Sequence, residues 1–144
     1  MLRNMLDTNL CVRVLRDRPA GLRPRFNDEA ETLCISTITL TELLHGAARS
    51  ARPVQNRHEV ERMAARLSVL DFDSKAAAHA GDINADLSSR GALIGPYDIL
   101  IAGHARSQGL VVITGNLKEF NRVSGLRCED WLGDERLPRL DLRS

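Results

Sequence analysis

Short apolar runs alternate with amphipathic stretches along most of this chain. LRNML at 2–6 predicts a first strand, and NLCVRVLR at 9–16 predicts a helix that the Arg18-Pro19 region ends. LCISTI at 33–38 is rich in β-branched side chains and predicts a second strand, followed by the helix TLTELLHGAARS, which stops before Pro53. Val60, Met63, Ala64 and Leu67 recur at helical spacing within 54–67, and VLDF at 69–72 reads as a short strand or extended link. Ala76, Ala80, Ile83 and Leu87 form one stripe of a helix over 74–90, with Gly91 at its C-cap. A last helix, DILIAGHARSQ, begins after Gly95-Pro96. The run LVVITG that follows it is continuously apolar, as in a strand buried on both faces of a parallel sheet.

Alternating strands and helices with short links predict an α/β sandwich around a mostly parallel sheet with right-handed crossovers. In such sheets ligands bind beyond the carboxyl ends of the strands. The chain shows no internal repeat or linker, and its polar end, GDERLPRLDLRS at 133–144, is expected to be partly disordered.

Size and composition narrow the possibilities without naming a chemistry. At 144 residues the chain fits one domain with a real core. No apolar run reaches the roughly 18–20 residues of a membrane span, and Asp7 and Arg13 interrupt any signal-peptide pattern, so a cytoplasmic location is expected. Cys11, Cys34 and Cys128 fall in no ligand spacing and predict buried thiols in a reducing compartment, without a zinc site or a disulfide framework. The formal charge is only +1, yet it is carried by 18 arginines against two lysines. Arginine suits bidentate phosphate contact, although a solvated arginine surface gives the same composition.

The chemistry lies in the acids at the strand-to-helix junctions. Asp7 ends the first strand, Glu42 is expected in the first turn of the helix after the second, Asp98 opens the helix after Gly95-Pro96-Tyr97, and Asn116 and Glu119 follow LVVIT. Each has a local explanation as well. Asp7 can cap a helix, Thr39-x-x-Glu42 fits a capping box, Asp98 can complement a helix dipole and Glu119 can be a solvated acid. Three junctions nevertheless each supply an acid among apolar neighbours. Carboxylates meeting at one sheet edge would repel unless a hard cation such as Mg²⁺ or Mn²⁺ were bound, and that combination supports phosphodiester hydrolysis.

The segments MLDTN, ISTITLTELLHGA, GPYDILIAGHARSQGLVVITGNLKEFNRVSGL and EDW, in this order over about residues 1–132, resemble the PIN-domain ribonucleases, specifically the VapC toxins of bacterial type II toxin-antitoxin modules. The resemblance implies a PIN-like three-layer α/β/α sandwich over residues 1–132. It also implies a Mg²⁺- or Mn²⁺-dependent endoribonuclease that leaves 3′-hydroxyl and 5′-phosphate ends and inhibits translation. Carried over by position, the acidic set is Asp7, Glu42 and Asp98. The fourth position departs from the commonest pattern, because Asn116 stands where many PIN domains have aspartate, and Glu119 is expected to supply the charge. One metal is therefore expected to be held firmly and a second weakly or only with RNA present. Thr114 either orients Asp7 or a water through its hydroxyl, or is simply a β-branched strand residue.

No histidine is needed for this chemistry, and His79 and His104 fall in Ala-rich helical stretches that predict packed or surface positions. RNA contact is expected from Arg13, Arg49, Arg106 and Arg122. Tyr97 is placed either to stack on an unpaired base or to pack in the core. The implied substrate is structured RNA, above all tRNA, with the anticodon loop of initiator tRNA a fitting target. The implied partners are a VapB-like antitoxin, which alone binds DNA, and a second copy of the chain in a homodimer; no membrane is involved. Two other classes fit less well. A catalytically inactive PIN-fold RNA- or protein-binding module is motivated by Asn116, and an aspartyl-phosphate phosphatase would need a second acid where Asn9 stands.

Overall fold

Five parallel strands form the centre of the computed structural model, which describes residues 1–131. The elements in chain order are β1 (Asn4–Leu6), α1 (Thr8–Arg16), α2 (Leu22–Glu29), a single 3₁₀ turn (Ala30–Thr32), β2 (Leu33–Ser36), α3 (Thr37–Ala48) and α4 (Pro53–Ala64). They continue with β3 (Ser68–Leu70), α5 (Ser74–Ser89), α6 (Pro96–Ser107), β4 (Val111–Ile113), α7 (Leu117–Phe120) and β5 (Cys128–Glu129). The strand order is β3-β2-β1-β4-β5, with every pairing parallel. The polar tail expected over 133–144 lies outside the described residues. Among the described residues no helix is long and apolar enough to cross a membrane.

Alternation along the strands divides the core between the two faces of the sheet. Met5, Cys34 and Val112 point to one side, where α5 and α6 cover them with Ile83, Leu87, Ile101 and Ala102. Leu6, Leu33, Ile35 and Ile113 point to the other, against Leu10 and Val14 of α1, Phe26 of α2, Leu43 of α3 and Met63 of α4. This arrangement is the expected three-layer sandwich, with a sheet that is wholly parallel. Burial pushes the Cys34 thiol up to about 12 and that of Cys128 to about 11, as expected of packed thiols.

Several boundaries differ from those the pattern predicts. β2 ends at Ser36, two residues early, because the Ser36 hydroxyl accepts the Ile38 N–H at 3.1 Å and caps α3 at Thr37 in spite of the β-branched Thr37 and Ile38. Glu42 therefore sits in the second turn of α3, and the Thr39-x-x-Glu42 capping box does not form. α2 was not foreseen, because LRPRFNDE offers only Leu22 and Phe26 to the core and contains Pro24. Pro24 falls in the first helical turn, where no intrahelical N–H is required. The two-residue β5 and four-residue α7 are too short to show a period.

The tightest helix contact lies between α5 and α6. A Cβ built on Gly103 would come within 2.6 Å of the Ala80 backbone nitrogen, whereas one on Gly81 would meet nothing within 4 Å. Gly103→Ala is therefore expected to lose about 2 kcal/mol by forcing these helices apart, a drop of roughly 4–8 °C in melting temperature. Gly81→Ala is expected to gain about 0.5–1 kcal/mol from helix propensity alone. Thermal melts of the two variants in parallel check both signs.

Candidate active site

β1 is the central strand, so its carboxyl end is flanked by the ends of β2 and β4, and the strand order changes direction between β1 and β4. Asp7 is the first residue past β1. Its extended backbone makes it the N-cap of α1, with Oδ1 accepting the Leu10 N–H at 2.8 Å. Its other oxygen, Oδ2, accepts the Thr114 hydroxyl at 2.5 Å from the end of β4. Thr114 Oγ1 in turn accepts the Asn116 N–H at 2.8 Å, which turns the chain after β4. Asp7 is thus a helix cap and a member of a polar cluster at once, and it is only 2% exposed.

Asp98 lies in the first turn of α6, after Pro96 at its first position, and is half-buried. Its carboxylate folds back so closely that a Cβ on Gly95 would lie 3.4 Å from Oδ2. Glu42 reaches the same edge from α3, with Oε1 accepting the Thr8 hydroxyl at 2.6 Å. The Thr8 and Thr39 hydroxyls are 3.3 Å apart, and Thr39 is fully buried.

Electrostatics tie these acids into one site. Burial pushes Asp7 up to about 6, with the Glu42 charge adding to the rise, while the hydrogen bonds from Thr114 and Leu10 and the Arg13 charge work against it. Burial also pushes Asp98 up to about 6, reinforced by the charges of Asp7, Glu42 and Glu119. Asp7, Glu42, Asp98 and Glu119 therefore share one field at the sheet edge. Asn116 is half-buried at the start of α7, which also carries Glu119.

The donors are carboxylate and amide oxygens, the set a hard divalent cation takes, and two carboxyls raised by burial and mutual repulsion are what such a cation would relieve. Among the described residues no three His, Cys, Asp or Glu side chains stand close enough to enclose a metal by themselves. An ion there would keep several water or phosphate oxygens, the coordination Mg²⁺ favours.

The arginines divide. Arg13 on α1 is half-buried, its Nε has no hydrogen-bond partner among the described residues, and its charge acts on Asp7. Arg49 is exposed at the C-cap of α3, the far end of that helix from the cluster. Arg106, two turns beyond Asp98 on α6, spends its guanidinium on His79 Nδ1 at 2.9 Å and the Ser124 carbonyl at 2.9 Å. Arg122 donates to the Leu93 carbonyl at 3.0 Å and so ties the segment after α7 to the one before α6. Tyr97 is not a core residue; it is 51% exposed beside Asp98. The reach of Thr8 to Glu42 and the buried pair of His104 and Ser36 were missed as parts of this framework. His104 Nδ1 lies 2.7 Å from Ser36 Oγ and joins the helix of Asp98 to the cap of the helix of Glu42. Contacts of this kind, 34 and 68 residues apart, leave no local trace in a sequence.

The PIN-domain family model matches residues 5–126. The tRNA(fMet)-specific endonuclease VapC of Shigella flexneri is 49% identical over 131 residues, covering 91% of this chain and 99% of its own. The ribonuclease VapC2 of Haemophilus influenzae is 48% identical over 132 residues, covering 92% and 100%. Among solved structures, DNA-bound VapBC from Salmonella typhimurium contains a chain that superposes with a TM-score of 0.87 at 51% identity, covering 91% of this chain and 99% of that one.

Proposed function

Since this chain belongs to the PIN-domain family, as an endoribonuclease of the VapC toxins, we propose that it is a divalent-metal-dependent enzyme that cuts initiator tRNA. The observation that carries this reading is the shared field of Asp7, Glu42, Asp98 and Glu119 at the carboxyl end of a parallel sheet. Asp7, Glu42 and Asp98 would hold the cation, with Asn116 and Glu119 at the margin. A cation bound there would acidify water and neutralise the charge that grows on the scissile phosphate.

The protein's own residues supply position and field. Thr114 and the Leu10 N–H fix both oxygens of Asp7, so its lone pairs need no reorganisation when substrate arrives. Arg13, whose charge acts on Asp7, would meet a phosphate at this edge. Tyr97 offers an exposed ring beside Asp98 on which a base splayed from a tRNA loop would stack. Arg106 and Arg122 hold the segment around Ser124 against the body of the protein and are assigned to that task, not to RNA. The substrate is taken from the relatives named for tRNA(fMet). A VapB-like antitoxin as partner is taken from the DNA-bound VapBC of Salmonella typhimurium, while DNA contact through the antitoxin and a homodimer of this chain follow from the resemblance to VapC toxins.

The test is cleavage of a total tRNA pool by antitoxin-free protein with Mg²⁺ or Mn²⁺, with EDTA controls and end-mapping. Fragments from initiator tRNA that need the metal and end in 3′-hydroxyl support the reading. Cleavage that persists in EDTA overturns the metal, and fragments from another RNA overturn the substrate.

A further inference from the structure

Thr8 follows Asp7 in MLDTN and by its position only shapes the turn around that acid, yet among the described residues its hydroxyl makes the one hydrogen bond to the Glu42 carboxylate. We infer that Thr8 is a positioning residue that locks Glu42 into presenting a single oxygen to the cation. The inference rests on the metal-dependent reading of this site. At 2.6 Å, with an ionised acceptor, the bond is of the strong charge-assisted kind. A hydroxyl has one proton, so with Thr8's proton on Glu42 the 3.3 Å bond between Thr8 and the buried Thr39 is supplied by Thr39. The Thr8 oxygen is thereby fixed from behind.

The local structure explains why Thr8 can do this. Asp7 is the cap of α1 and Thr8 its first residue, so the turn that aims Asp7 also sets the direction of the Thr8 hydroxyl. Glu42 stands in the second turn of α3, on a long side chain with several rotamers. Left alone it would lose substantial rotamer entropy on meeting an ion. The Thr8 bond selects one rotamer beforehand and couples the position of Glu42 to that of Asp7. It also takes one of the two lone pairs of Oε1, so Oε2 is the freer oxygen to offer a cation. Single-oxygen carboxylate contact suits Mg²⁺ and Mn²⁺, whereas Ca²⁺ readily takes both oxygens of a carboxylate. Thr8 thus disfavours the larger ion.

The experiment is calorimetric titration of the full antitoxin-free chain with Mn²⁺ and, separately, Ca²⁺, for the wild type, Thr8→Val, Thr8→Ala and Thr8→Ser. Melting temperatures in metal-free buffer are recorded beside it. Loss of the hydroxyl is expected to weaken Mn²⁺ binding about tenfold and to raise the ratio of Ca²⁺ to Mn²⁺ affinity, in both Val and Ala variants, while Ser retains wild-type values. A purely packing role for Thr8 would lower the melting temperature and leave the ion ratio unchanged. Equal Mn²⁺ affinity in wild type and both hydroxyl-free variants overturns the role of Thr8. Absence of Mn²⁺ binding to the folded wild type overturns the metal reading beneath it.

Discussion

Asp7→Asn is expected to reduce RNA cleavage by on the order of 100- to 1000-fold while leaving the fold intact. The amide keeps the shape of the carboxyl, and its oxygen can still accept the Leu10 N–H, so the cap of α1 survives. Its NH₂ group can donate to Thr114 Oγ1, which already accepts the Asn116 N–H and has a second lone pair. What disappears is the negative charge at the centre of the acid cluster, where low dielectric makes one charge worth most. Single-turnover cleavage of tRNA at saturating Mg²⁺ measures the loss. A variant that cuts within a few-fold of the wild-type rate would remove Asp7 from the reaction and leave it a helix cap.

That double duty also explains what the sequence could and could not disclose. The layers were legible, because Met5 against Leu6 and Val112 against Ile113 carry the alternation a two-faced sheet needs, and the α5 stripe of Ala76, Ala80, Ile83 and Leu87 is long enough to show its period. The convergence of Asp7, Glu42 and Asp98 followed from strand-end positions plus topology. α2 was invisible because its stability comes from Leu22 and Phe26 docking into a core built by other elements, and its Pro24 argues locally against a helix. The start of α3 was misplaced because a single cap, Ser36, outweighed two β-branched residues. Composition likewise counts guanidinium groups but cannot tell that Arg106 donates to His79 and Ser124. The hydroxyls of Thr8 and Thr39, and the contact of Ser36 with His104, matter through partners on other elements, and periodicity carries no information about those.

The Asp7 charge proposed to hold the cation weakens the metal-free fold, with a definite dependence on pH. In the unfolded chain Asp7 titrates near its ordinary value of 3.8; in the folded chain burial holds it at about 6. Between those values the folded state binds more protons than the unfolded one, so stability falls as pH rises. The contribution is fully present below about pH 4 and is lost as pH passes through about 6. A displacement of this size corresponds to roughly 3 kcal/mol for a group as buried as Asp7. Asp98 shifts in the same direction and steepens the fall in the same window. Other carboxylates titrate across this range too, so the informative quantity is the difference between wild type and Asp7→Asn. Without metal the variant is expected to be more stable than wild type at pH 7 by about 2 kcal/mol, a rise of roughly 4–8 °C in melting temperature, and level with it at pH 4. Saturating Mg²⁺ or Mn²⁺ at pH 7 is expected to raise the melting temperature of the wild type and to close the gap, because ligand bound only to the folded state adds its binding free energy to stability. Melting curves from pH 4 to 7.5, with and without the ion, measure both effects. A variant that is no more stable than wild type at pH 7, or a gap that widens toward pH 4, would mean that the folded protein carries the Asp7 charge without strain. The acid cluster would then have no electrostatic demand for a cation.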